Sequence, residues 1–137
     1  MATVDIRGFI DELAAGGDKR YYITEQSHIP LTLKAERRQV IASSGADLMV
    51  ANITFSELSA SEDKVFLIKS DQPVNVQFGG SVTAQTTEPG AGEGITIAAN
   101  CGIMGAIAAG TLITKVGIIN MVTTADATVT VVIWDWT

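Results

Sequence analysis

Cys101 and His28, the only cysteine and the only histidine among 137 residues, are the side chains with the most distinctive chemistry in this chain. Paired, they would form a thiolate–imidazole nucleophile; separately, each is a good metal ligand. Their surroundings support neither role. Any chain with one of each offers the pair, and no G-x-S-x-G elbow is present to position a serine instead. A zinc site takes three or four nitrogen or sulfur ligands, and two are at hand. Asp18, Asp63, Asp71 and Asp126 are too scattered for a calcium loop of the D-x-D-x-D type. Gly90, Gly92 and Gly94 have the wrong spacing for a phosphate cradle, and Glu93 among them would repel the anion. Cys101 is therefore expected to be a small buried hydrophobe with a reduced thiol, and His28, just before Ile29-Pro30, a loop or strand-start residue. Glu57, Glu62 and Asp63 flank a Ser-rich turn, where solvation explains acidic side chains. No acid, base and nucleophile can be named together, so the chain is expected to be no enzyme, with no catalytic residue, cofactor or metal.

The C-terminal Trp134-Asp135-Trp136 is the remaining chemical signal. Two indoles beside a carboxylate suit sugar stacking, but period-two alternation puts Trp134 and Trp136 on one strand face and Asp135 on the other. Packing or a subunit contact, where Trp is enriched, is the plainer reading.

Charge sets the next constraint. Nine Lys and Arg against fifteen Asp and Glu give a net charge of -6. Lys34, Arg37 and Arg38 form the only dense basic group, which argues against nucleic acid as a partner. Residues 1–79 carry 19 charged side chains and residues 80–137 carry five. So little charge cannot easily cover the solvent face of a monomer, and the second half is expected to line a core on both sides or to face a neighbouring subunit.

The elements that must position these residues read as follows. Ile6, Phe9, Ile10 and Leu13 have the i, i+3, i+4, i+7 spacing of one helix face, with Thr3 as a cap and Gly16-Gly17 as a stop. An N-terminal helical arm over 1–20 is expected, followed by a single β domain over 21–137. From Tyr21 the period changes to two: Ile29, Leu31 and Leu33, then Met49, Ala51, Ile53 and Phe55, then Val74, Val76 and Phe78 each mark one face of a strand. Leu112 to Val122 and Thr128 to Trp134 read as a terminal hairpin. Ile95 to Thr114 lacks charge over a length that could span a bilayer, but its Ala, Gly and Thr content suits a buried pair of strands better, with Gly102, Gly105 and Gly110 at bends or close approaches. Arg7, Asp11, Glu12, Asp18, Lys19 and Arg20 leave no apolar stretch for a signal peptide at the start. Short strands with frequent turns make a mainly β fold, a β-sandwich or jelly roll with a short N-terminal helix, the expected architecture.

Val65 to Phe78 with its Asp71-Gln72-Pro73-Val74 turn, then Ile95 to Ile97 after a Gly-rich loop, Lys115 to Asn120 and Ala127 to Ile133, resembles small β-sandwich structural proteins of tailed bacteriophages. The likeness spans roughly residues 65–134. It implies a virion location and a role as a capsid decoration (cement) protein, commonly a homotrimer bound to the major capsid protein or other virion proteins. A neck or tail component, or a receptor-binding fibre that holds carbohydrate, is the alternative; a small membrane protein anchored by Ile95 to Thr114 is a weaker one. Ile6, Phe9, Ile10 and Leu13, with Trp134 and Trp136, are the residues expected at interfaces.

Overall fold

The computed structural model describes residues 3–4, 9–12, 19–22, 29–55, 62–109 and 114–136, with side chains described at 32–55, 62–109 and 114–135. All the regular structure in these segments is β. The strands are β1 (Thr3–Val4), β2 (Phe9–Glu12), β3 (Lys19–Tyr22), β4 (Ile29–Ile41), β5 (Val50–Thr54), β6 (Asp63–Ser70), β7 (Val74–Phe78), β8 (Ile95–Ile97), β9 (Cys101–Ile107), β10 (Lys115–Asn120) and β11 (Ala127–Trp136). One sheet has the order β1-β4-β11-β6-β9, a second β5-β10-β7-β8, and β2 pairs with β3 alone; every pairing is antiparallel.

Burial follows the sequence alternation on part of the strands: Ile53 and Phe55 are buried on one face, whereas Leu33 is exposed and Val74, Asn75 and Val76 are all buried. On β11, Ala127, Val129, Val131 and Ile133 point inward and are buried, as are Ile68 on β6 and Ala35 and Ile41 on β4. Ile53, Val74, Val76, Ile97, Val116 and Ile118 of the second sheet join them, with Phe55, in one apolar cluster. Each branched side chain removed from water there contributes about 1.5–3 kcal/mol.

The second sheet also has a covered outer face. Residues 81–85 run back across it: the Asn52 amide donates to the Val82 carbonyl at 2.9 Å and its oxygen accepts from the Val82 N–H at 2.8 Å. Val82 then packs with Leu48 and Ile119, directly over Gly117, where an added Cβ would lie 2.8 Å from a Val82 methyl. β10 is therefore buried on both faces, which accounts for its lack of charge beyond Lys115.

Three expectations need correction. First, the helix over Ile6, Phe9, Ile10 and Leu13 is not formed, because Phe9–Glu12 is extended and pairs with Lys19–Tyr22. The register sets Asp11 opposite Arg20 and Glu12 opposite Lys19, opposite-charge positions that favour a two-stranded ribbon. Ile6, Leu13 and the two glycines at 16 and 17 lie outside the described residues.

Second, β10 and β11 are not a hairpin. β10 lies between β5 and β7, and β11 between β4 and β6, so the connection crosses from one sheet to the other. Asn120 holds that crossing. Fully buried, its amide donates to the carbonyls of Ile41 (3.3 Å) and Ala125 (2.9 Å) while its oxygen accepts from the Val122 N–H (3.0 Å).

Third, Ile95 to Ile107 is strand but not a buried pair. β8 and β9 are the outermost strands of different sheets, joined through Asn100 at a φ of 58°, and most of their residues are exposed or half-buried. Absence of charge marked strand edges here, not interior. Among the described residues, no helix is long and apolar enough to cross a membrane.

Candidate assembly surface

The first sheet's outer face is built row by row from its register. One row runs Leu33, Trp134, Val65, Ala106, and the next runs Glu36, Val132, Leu67, Met104. Seven of these eight residues are apolar. Leu33 is 54% exposed at one end of its row, on β4, and Ala106 is exposed at the other, on β9, while Val65 and Val132 between them are buried. Farther along, the row Arg38, Thr130, Lys69, Gly102 turns the same face polar and basic. Asp71 terminates this end by accepting a hydrogen bond from the Thr128 N–H at 2.7 Å.

β9 borders this face. Its seven residues include no charge and no proline, the two devices that most often blunt a sheet edge, and among the described residues it pairs with β6 alone. Gly105 stands opposite Phe66, whose ring occupies the space a Cβ would need (2.8 Å), and Gly102 lies 2.8 Å by the same measure from the Ile68 carbonyl. Both glycines thus permit close approach, as the sequence suggested; Gly110 lies outside the described residues. Cys101, expected to be buried, is exposed: it shares the strand face of Ile103 but is the first residue of β9, at the end of the sheet. With Arg38, Lys69 and Asp71 it borders an open depression of about 510 Å³.

Of the residues expected at interfaces, Trp134 is placed on this outer face, half-buried between Leu33 and Val65. Trp136 pairs by backbone with Leu31 and Asp63, at a register position on the same face. Phe9 and Ile10 belong to β2, which the described pairings do not bring to Trp134.

Asp135 is the functional group that sequence reasoning passed over. It continues the inward series Val129, Val131, Ile133 and is fully buried, with Lys64 opposite it on β6 at 2% exposure. The register between β4 and β11 shifts at Ile133/Trp134, where Lys34 is the extra residue. That bulge aims Lys34 inward, its Nζ 3.0 Å from Asp135 Oδ2, while Lys64 Nζ lies 3.8 Å from Oδ1. Neither oxygen receives a backbone N–H or hydroxyl among the described residues, so the compensation is ionic. Lys64 Nζ also donates to the Glu62 carbonyl at 2.7 Å.

The neighbouring Asp135 carboxyl, by polar contact and by charge, holds the Glu62 carboxyl above the usual carboxylate range. Burial pushes Asp135 itself up, but Glu62 and Lys34 as close polar neighbours, and the charges of Lys34 and Lys64, outweigh it and hold that carboxyl low. The Lys34 ammonium is raised by its contact with Asp135 and by that carboxylate's charge. The signal was present in the sequence: an inward alternation that ends on an acid.

Among the described residues, no group of three or more His, Cys, Asp or Glu is placed to hold a metal ion. No protein-family model, curated protein or solved structure matches this chain.

Proposed function

We propose that the chain is a structural subunit of a virion, a capsid decoration (cement) protein, that self-associates through β9 and the apolar end of the adjoining sheet face. The observation that carries this reading is the uncharged edge strand β9, with Ala106 exposed and Met104 half-buried on its outer side. A second copy of the chain suits it. An edge strand of the next copy laid against β9 would complete the open hydrogen-bond ladder.

The strand order supports the class. Taken as two facing layers, β4-β11-β6-β9 and β5-β10-β7-β8 are the order of an eight-stranded jelly roll, an architecture used by viral capsid proteins and by lectins. Fold alone does not assign a role, so the surface carries the argument. The resemblance of residues 65–134 to phage structural proteins points to a closed oligomer, a trimer, whose repeated contacts of about 800 Å² per partner would hold the shell by avidity. Light scattering on the purified chain should give a multiple of the 14.4 kDa chain mass, unchanged by mild detergent. A monomer would contradict the reading.

A further inference from the structure

The cluster at Asp135 has the components of a self-catalysed cross-link. The geometry points to an intramolecular isopeptide bond between Lys64 Nζ and Asp135 Cγ, formed with Glu62 as proton carrier and tying β6 to β11.

The placement is specific. Lys64 and Asp135 are directly opposed across an antiparallel pair, so the backbone brings amine and carboxyl together. Their closest polar atoms lie 3.8 Å apart, and side-chain exposures of 2% and 0% exclude bulk water. The Lys64 stem borders a small apolar void with Phe78, Ile107 and Ile133, which restricts its freedom to leave. Two reacting groups held this way behave as a unimolecular pair, the arrangement that lowers the entropic barrier most. A buried ion pair also carries a desolvation penalty for both partners, and an amide removes both charges from the interior.

The step balances without any further reactant. Glu62, beside Asp135, takes a proton from Nζ and passes it to Oδ1; the Nζ–Cγ bond forms and the Cγ–Oδ1 bond breaks. Two protons from the Lys64 ammonium leave with Oδ1 as one water, nothing is oxidised or reduced, and Glu62 ends as it began. Lys34, 3.0 Å from Oδ2, stabilises the charge that develops on that oxygen during attack. Its side chain is 34% exposed, so the bulge that carries it is also the route by which water leaves.

Mass spectrometry of the whole chain under denaturing conditions tests this directly. The folded wild-type protein should be lighter than its sequence mass by one water, and a tryptic digest should contain a branched peptide joining Lys64 to Asp135. Glu62→Gln should fold, by circular dichroism, yet keep the full sequence mass, as should Lys64→Met. A wild-type chain at full sequence mass after days in the folded state would overturn the proposal. So would a lost water that maps to Lys34 or to a cyclised aspartate. Because the wild-type mass decides the matter, failure of either variant to fold would not protect the idea.

Discussion

Asp126 and Asp135 are both aspartates near the end of the chain, yet their environments make them opposite kinds of residue. Asp126 is exposed and accepts hydrogen bonds from the Ser43 N–H (2.8 Å) and hydroxyl (3.0 Å), which hold its carboxyl below the ordinary value. The unfolded chain therefore binds the proton more readily, and stability rises with pH across the interval between the two pKa values. Its contribution is complete above the unfolded value near 3.8 and is lost as pH falls through the lower folded value. Urea midpoints of wild type and Asp126→Asn should differ at pH 6 and converge towards pH 2. A gap that persists in acid would place the effect elsewhere. Asn120 makes a larger demand, being fully buried with three backbone partners. Asn120→Ala strands two carbonyls and one N–H and should cost about 3 kcal/mol in chemical denaturation.

At the scale of elements, the corners between sheets matter more than the strands. Gly94 precedes β8 at a φ of +82°, and an added Cβ would lie 2.5 Å from the Val76 carbonyl oxygen. Gly94→Ala should therefore destabilise by roughly 1–3 kcal/mol, through backbone strain and contact together, measured as a lowered thermal midpoint. The strands themselves were legible: Val74, Val76 and Phe78, or Ala51 and Ile53, declare a half-buried strand by alternation alone. The connections were not. Nothing local in Thr123 to Ala127 distinguishes a hairpin from a crossing between sheets, because the deciding bond runs from Asn120 to Ile41, far away in sequence. Ile6, Phe9, Ile10 and Leu13 match a helix period by spacing, and a four-residue strand such as β2 is too short for period two to compete. The uncharged stretch from Ile95 onward was read as interior for a related reason, since lack of charge reports what a surface avoids and not where it lies. Of the site, Trp134 was visible and Asp135 was readable from its parity, whereas Lys34 reached it only through a bulge that no pattern announces.

The two outer faces of the molecule differ in cover. The second sheet covers its outer side with its own residues 81–85, while the first buries Val65 and Val132 but leaves Leu33, Ala106 and the β9 edge exposed among the described residues. Charged side chains concentrate in residues 1–79, and on the proposed reading the sparsely charged β9 edge is the surface offered to copies of the chain. Ala106→Lys places an ammonium on the exposed side of β9 without touching the core, so it should leave the thermal midpoint nearly unchanged while shifting the assembly towards monomer. The solution mass of the wild-type chain, by light scattering over a range of concentrations with and without mild detergent, tests the central claim most directly. A detergent-independent oligomer that Ala106→Lys dissociates is the expected result; a wild-type chain that remains monomeric at every concentration would rule out self-association through β9.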